Sequence, residues 1–172
     1  ISEKALRTPR VMTIETPEEL SLAVWAATDT GRVRPVNQDR FFIDTTLRLS
    51  IVADGVGGRK RGEVAADLAC RAIREHLARN PRPRAAFLAN PGPTERKAVV
   101  ILMRDALQMA CAQVFEAGKD ITNGVGMSCT VDAVFVIGQT AFVGHVGDSR
   151  TYLIRNQKSL SPHRRPHGLA GE

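Results

Sequence analysis

Residues 49–58 of this 172-residue chain read Leu-Ser-Ile-Val-Ala-Asp-Gly-Val-Gly-Gly. The first five form an apolar run of strand length, and Asp54 follows directly before a glycine-rich turn. A carboxylate at the end of a rigid strand, beside exposed backbone carbonyls, offers the oxygen ligands that Mg²⁺ and Mn²⁺ require. Taken alone, Asp-Gly is more often an ordinary turn. The stretch therefore leaves two alternatives, a turn and a metal site.

Short strand signals surround this stretch. The apolar run 22–28 ends in the turn signal Asp-Thr-Gly and predicts a strand. Residues 41–43 and 49–53 are two apolar runs separated by polar residues, and they predict a hairpin. Residues 1–20 are more polar, and we expect a flexible lead-in there.

The middle of the chain changes to helical spacing. From Gly62 to Ala78, apolar residues recur on one face, which predicts a helix that stops at the prolines of 80–83. A second break at 90–93 precedes a long helix that ends near Gly118. We expect two helices in total, and no segment apolar enough to span a membrane.

The last third returns to strands. Apolar runs at 129–137 and 140–146 flank a Gly-Gln turn and predict a hairpin, with a further strand at 150–155. Strands, helices and then strands indicate an α+β fold rather than alternating βαβ units. We assign residues 21–160 to one domain and 161–172 to an irregular tail.

Charge and cysteine content narrow the possible functions. The net charge is +6, but the basic residues are scattered and no aromatic residues interleave with them, which disfavours nucleic-acid binding. A basic surface also suits acidic or phosphorylated partners. Cys70, Cys111 and Cys129 are odd in number and far apart, which fits neither a disulfide framework nor a zinc site. We expect reduced, packed thiols in a cytoplasmic protein.

Two further loops combine Asp, Gly and Arg beside apolar strands. Gly147-Asp148-Ser149-Arg150 lies at a strand junction, where a turn is the simpler interpretation. Arg34 follows the first predicted strand; a solvated arginine is the usual case, although guanidinium is the natural bidentate partner of phosphate. Each signal is weak alone.

Together, four ordered motifs resemble the metal-dependent Ser/Thr protein phosphatases of the 2C type, in particular their bacterial branch. The motifs are Thr28-Asp-Thr-Gly-Arg-Val-Arg-Pro-Val-Asn-Gln-Asp39, Val52-Ala-Asp-Gly-Val-Gly-Gly58 with Gly62-Glu-Val-Ala65, Gly126-Met-Ser-Cys-Thr130, and His145-Val-Gly-Asp-Ser-Arg-Thr-Tyr-Leu153. The resemblance extends from about Leu22 to about Leu160. It implies an antiparallel β-sandwich flanked by helices, in αββα layers.

The resemblance also implies a function and residue roles. The reaction is hydrolysis of phosphoserine and phosphothreonine in proteins by a water activated between two Mn²⁺ or Mg²⁺ ions. Asp54 bridges the two ions, the Gly55 carbonyl ligates one, and Asp39 orients a water on the metal. Asp148 serves an accessory third ion, and Arg34 binds the substrate phosphate. Phosphorylated Ser/Thr proteins and a Ser/Thr kinase are the partners implied, with neither nucleic acid nor membrane.

Some features depart from the family pattern. Gln38 stands where many relatives have Glu, Ser128-Cys129 replaces a smaller pair, and Arg59 replaces a frequent His. His145 is isolated, and a packed histidine is favoured over a metal ligand. Family members continue with two aspartate loops that hold the metals, and nothing after Leu160 resembles them. We therefore expect a domain truncated at its C-terminal end and poorly active in this form. The alternative is a catalytically inactive regulatory or interaction module.

Overall fold

The computed structural model describes residues 10–15, 22–57, 61–119, 126–156 and 158–160. Strands come first along the chain, three helices follow, and further strands close it. The elements are β1 Arg10–Glu15, β2 Asp39–Asp44, β3 Leu49–Val56, α1 Arg61–Arg79, α2 Pro81–Ala89, α3 Pro93–Lys119, β4 Ser128–Cys129, β5 Val131–Ile137, β6 Thr140–Val146, β7 Leu153–Arg155 and β8 Lys158–Leu160. The predicted α+β class is confirmed.

The described strands form one large sheet and one small one. The large sheet has the order β1-β6-β5-β3-β2, with β4 paired to the end of β3, and β7 pairs with β8 separately. All these pairings are antiparallel. Both predicted hairpins, β2–β3 and β5–β6, are confirmed.

The helices cover one face of the large sheet. Along β3, Leu49, Ile51 and Ala53 are buried, whereas Val52 between them is 52% exposed. The buried set joins a core with the apolar stripes of α1 and α3. Since side chains alternate along a strand, Asp54 lies on the face turned away from the helices. Burial of the helix-facing side therefore fixes the direction of the Asp54 carboxylate.

Three elements differ from the sequence-based expectations. Residues 10–15, expected in a loose lead-in, form β1 and pair with β6. Residues 22–30, expected to contain a strand, have none, and most of them are exposed, Trp25 to 86%. The last predicted strand is shorter, at 153–155. The first strand of the described chain is thus β1, which lies nearer the N-terminus than the strand predicted at 22–28.

Helix α2 is the third helix, where only a break was expected. Pro81 begins it, which is tolerated because the first helical residue needs no backbone N–H donor. Phe87 is buried and its ring meets that of Phe142 edge-on, with 5.2 Å between ring centres. The packing of one aromatic side chain therefore explains why this short, proline-containing segment is helical.

Helix α3 has the extent predicted from the sequence, to within about a residue at each end, but it is more apolar than expected. It has 27 residues and an 18-residue window of mean hydropathy 1.4, enough by length and composition to cross a membrane. The expectation that no segment is that apolar is wrong for α3. Its buried stripe, which includes Val99, Met103 and Leu107, packs against α1 and β6 as a core helix does.

The limits of the predicted domain remain a prediction. The tail at 161–172 and Arg59 lie outside the described residues.

Candidate metal centre

Two carboxylates meet at the open end of the β2–β3 hairpin. Asp39 and Asp54 are register partners, so their side chains project from neighbouring strands. Partial burial raises the pKa of Asp54, and the charge of Asp39 and a hydrogen bond between the two carboxyls raise it further. The hairpin register thus creates a site where negative charge is concentrated.

Two more of the predicted side chains act on the same carboxyl. The charge of Asp148 raises the pKa of Asp54, and the nearby Arg34 guanidinium lowers it. The structure therefore places Asp39, Asp148 and Arg34 near enough to Asp54 for their charges to act on it, although the four residues come from separate segments of the chain. Gly55 adjoins them, with its N–H donating to the Gln38 carbonyl at 3.3 Å.

Thr130 connects the Asp54 loop with the Asp148 loop. Its backbone N–H donates to the Asp54 carbonyl at 2.8 Å, and its hydroxyl accepts from the Asp54 N–H at 3.1 Å. The same hydroxyl lies 2.6 Å from the Ser149 hydroxyl. Thr130 lies within one of the four sequence motifs, but the sequence carries no signal for this role, because its contacts join segments far apart along the chain.

Gly147 permits the close approach of these loops. Its φ is +110°, a conformation that residues with a side chain rarely adopt. A Cβ atom there would lie 2.7 Å from Cγ2 of Thr130. The glycine before Asp148 is thus required by both backbone conformation and space.

The start of α1 is seated against the end of β3 through two glycines. A Cβ atom on Gly55 would lie 2.0 Å from the Gly62 carbonyl oxygen and 2.6 Å from that of Gln38. The Gln38 side chain is not directed at a carboxylate; its Nε2 donates to the Gly57 carbonyl at 3.0 Å. Gln38, which stands where many relatives have Glu, therefore stabilises the glycine turn through this hydrogen bond.

The loop that carries Arg34 is held by short polar contacts. Asp29 accepts from the Gly31 N–H at 2.7 Å, and Asn37 donates to the Thr28 hydroxyl at 2.8 Å and accepts from the Asp39 N–H at 3.0 Å. Arg34 itself is exposed. The loop thus presents a guanidinium to solvent beside the Asp39–Asp54 pair.

The donor set suits a hard cation in type but is small in number. Divalent cations favour carboxylate and carbonyl oxygens, and a cation would relieve the repulsion that raises the pKa of Asp54. Within the described part of the chain, however, no three or more His, Cys, Asp or Glu side chains are close enough to hold an ion. The described residues therefore fit as part of a metal site.

His145 and the three cysteines are the remaining residues that the sequence singled out. His145 Nδ1 is 3.0 Å from Asp132 Oδ1, and its side chain is only 12% exposed, so it is packed as the sequence favoured. All three cysteines are free. Burial raises the pKa of Cys70 to about 11 and of Cys129 to about 12, so both thiols stay protonated at neutral pH.

The sequence of this chain is similar to those of known protein families and proteins. A family model described as protein phosphatase 2C matches residues 31–169. The serine/threonine protein phosphatase PstP of Mycobacterium tuberculosis is 34% identical over 137 residues, which are 80% of this chain and 24% of that protein. The chain thus spans about a quarter of the length of this relative.

Solved structures agree with the fold. A crystal structure of Mycobacterium tuberculosis PstP covers 91% of this chain with a TM-score of 0.58 and 23% identity, and 54% of that chain is matched. The catalytic domain of PstP in complex with 2 manganese ions covers 90% of this chain, with a TM-score of 0.50, 26% identity and 55% of that chain matched.

Proposed function

We propose that this chain, which belongs to the protein phosphatase 2C family, forms the part of a metal-dependent phosphatase that acts on phosphoserine and phosphothreonine in proteins. One observation carries the proposal. Asp39 is the register partner of Asp54 at one end of the sheet, and Asp148 and Arg34, from other segments of the chain, lie near enough for their charges to act on Asp54. Carboxylates that hold cations, next to a guanidinium that binds phosphate, are what metal-assisted hydrolysis of a phosphoester requires.

Each residue has a proposed role. The Asp54 carboxylate and the Gly55 carbonyl would hold divalent cations, and Asp39 would accept a hydrogen bond from the attacking water. Asp148 serves an accessory cation. Bound divalent cations would lower the pKa of a water and offset charge on the phosphoryl oxygens. Mn²⁺ is the first choice, because the PstP catalytic domain binds manganese, and Mg²⁺ is the alternative.

Arg34 orients the substrate in this proposal. Its guanidinium is exposed, close to Asp54, and can donate two parallel hydrogen bonds to phosphate oxygens. The loop contacts at Asp29 and Asn37 hold the backbone that carries it. A phosphate bound there would lie beside the carboxylate pair.

The cellular setting is also proposed. Three free cysteines suit the reducing cytoplasm, where phosphorylated Ser/Thr proteins would be the substrates and a Ser/Thr kinase the opposing partner in signalling. Neither nucleic acid nor a membrane is part of the proposal.

A second candidate is an inactive phosphatase-like module that binds or regulates other proteins. The small donor set favours it, because the described residues lack a cluster of three or more potential ligands. A pair of divalent cations would need several carboxylates to offset its charge. The two candidates differ in whether the chain binds Mn²⁺ and turns over substrate.

The proposal is tested by metal binding and by hydrolysis. Calorimetric Mn²⁺ titration of Asp54→Ala should show affinity at least about 10-fold weaker than the parent. Asp105→Ala is the control, because it removes a half-exposed carboxylate on α3. Unchanged Mn²⁺ affinity in Asp54→Ala would refute the metal assignment.

Hydrolysis of a phosphothreonine peptide with excess Mn²⁺ separates the two candidates. It is measured for the 172-residue chain and for the chain extended through any natural sequence that follows residue 172. We expect little turnover by the 172-residue chain and much more by the extended one. Equal, high turnover by both would show that our ligand assignment is incomplete, and no turnover by the extended chain would favour the inactive module.

A further inference from the structure

Asp132 is a buried acid on a strand that is otherwise apolar. It is 7% exposed and is the only acidic residue among the buried residues of the described chain. It lies on β5 between Val131 and Ala133, which face the core, and its register partner on β6 is His145. Burying a carboxylate is costly unless it is well hydrogen-bonded. A residue that breaks the local pattern in this way often has a functional reason.

One oxygen of Asp132 contacts both flanks of the loop that carries Asp148. Oδ1 accepts a hydrogen bond from the Thr151 hydroxyl at 2.9 Å and lies 3.0 Å from His145 Nδ1. Because a carboxylate oxygen accepts, the contact favours the tautomer in which Nδ1 carries the proton. His145 lies two residues before the loop 147–150, and Thr151 directly follows the loop. A single carboxylate therefore holds the entry and the exit of this loop.

The same loop is anchored at its middle. The Ser149 hydroxyl lies 2.6 Å from that of Thr130, whose backbone is bonded to Asp54. Contacts on both flanks and at the middle leave the loop little freedom. Asp148 is within this loop and is close enough to Asp54 for its charge to act there.

We propose that Asp132 is a positioning residue, which acts through His145 and Thr151 to fix the loop 147–150 and so to set the place of Asp148 relative to Asp54. The inference rests on the proposed function, because Asp148 matters there as a residue for an accessory cation. Asp132 itself contacts neither substrate nor metal in this proposal.

The first test measures order in the loop. Amide hydrogen exchange of peptides that cover 147–150 is compared by mass spectrometry in the 172-residue protein and its variants. Thr151→Val removes one hydroxyl donor to a charged acceptor without a change of size, and we expect roughly 10-fold faster exchange. Thr151→Ser keeps a hydroxyl and should exchange like the parent. Asp132→Asn retains the shape, loses the charge and should exchange faster than the parent.

The second test asks whether Mn²⁺ binding depends on the order of the loop 147–150. Bound Mn²⁺ is counted from the electron paramagnetic resonance signal of the free ion, at millimolar Mn²⁺ so that weak sites register. We expect Thr151→Val to weaken binding a few-fold, Asp148→Asn to weaken it at least as much, and Thr151→Ser to restore it. A contribution to stability alone would lower the melting temperature and leave binding by the folded protein unchanged.

Two results would overturn the inference. One is unchanged exchange of the loop in both Thr151→Val and Asp132→Asn. The other is Mn²⁺ binding at the parental level in those variants while Asp148→Asn weakens it. If Asp148→Asn itself leaves binding unchanged, its role in the proposed function fails, and the exchange measurement still decides whether Asp132 holds the loop.

Discussion

The contact between Gly55 and Gly62 gives the sharpest prediction. In Gly55→Ala the new Cβ would meet three backbone atoms, at 2.0 and 2.3 Å on Gly62 and at 2.6 Å on Gln38. The shortest of these separations must grow by more than half to reach ordinary contact, and no flexible side chain is there to yield. Helix α1 must therefore move away from β3, or the end of β3 must bend.

Overpacking of this kind costs about 1–3 kcal/mol, and backbone obstruction places this variant at the upper end. For a chain of this size about 1 kcal/mol corresponds to roughly 2–4 °C, so we expect the melting temperature to fall by roughly 6–12 °C. Because Asp54 precedes Gly55, Mn²⁺ affinity measured well below the melting temperature should also fall.

The assay is thermal unfolding followed by circular dichroism, with Gly126→Ala as the matched control. A Cβ at Gly126 meets nothing within 4 Å, so the same chemical change should have a small effect there. Equal melting temperatures for the two variants would refute the argument that α1 is seated on β3 through this contact.

Two other variants probe charge at the same centre. The pKa of Asp54 is raised above its ordinary value of 3.8, so the folded state binds the Asp54 proton more tightly than the unfolded state does. The stability of the folded state therefore falls as the pH rises from about 3.8 through the folded-state pKa. Without metal, Asp54→Asn should therefore melt higher than the parent at pH 7, and the difference should vanish below about pH 3.8; a difference that does not change with pH would contradict this. In an active, extended chain, Arg34→Ala should raise the KM for a phosphopeptide about 10-fold or more and leave Mn²⁺ affinity unchanged. Arg32→Ala, which changes an exposed neighbour, is the control. Weaker Mn²⁺ binding with an unchanged KM in Arg34→Ala would contradict the role of Arg34 in binding phosphate.

The parts of the fold that could be predicted from sequence are those with local causes. The β2–β3 and β5–β6 hairpins have short polar turns between apolar runs, and α1 has regular helical spacing, so neighbouring residues determine them. The convergence of Asp39 and Asp54 follows from the hairpin register alone.

The parts that could not be predicted depend on distant partners. β1 exists because β6 offers it an edge, and the register joins Arg10 to His145. The apolar run at 22–28 has strand composition but no ladder partner among the described residues. Helix α2 depends on the packing of Phe87 against Phe142, and its two prolines lie in its first turn, where a helix needs no backbone N–H donor.

The hydrogen bonds of Thr130 have a consequence for the order in which the molecule assembles. Its contacts with Asp54 close a loop of 76 residues, and its contact with Ser149 closes one of 19. Closing a long loop loses more chain entropy than closing a short one, so local hairpins and helices form before contacts of this kind. During synthesis, Asp54 leaves the ribosome long before Thr130 and Ser149 can join it. The centre should therefore be among the last regions to acquire native structure, after β5 has docked beside β3.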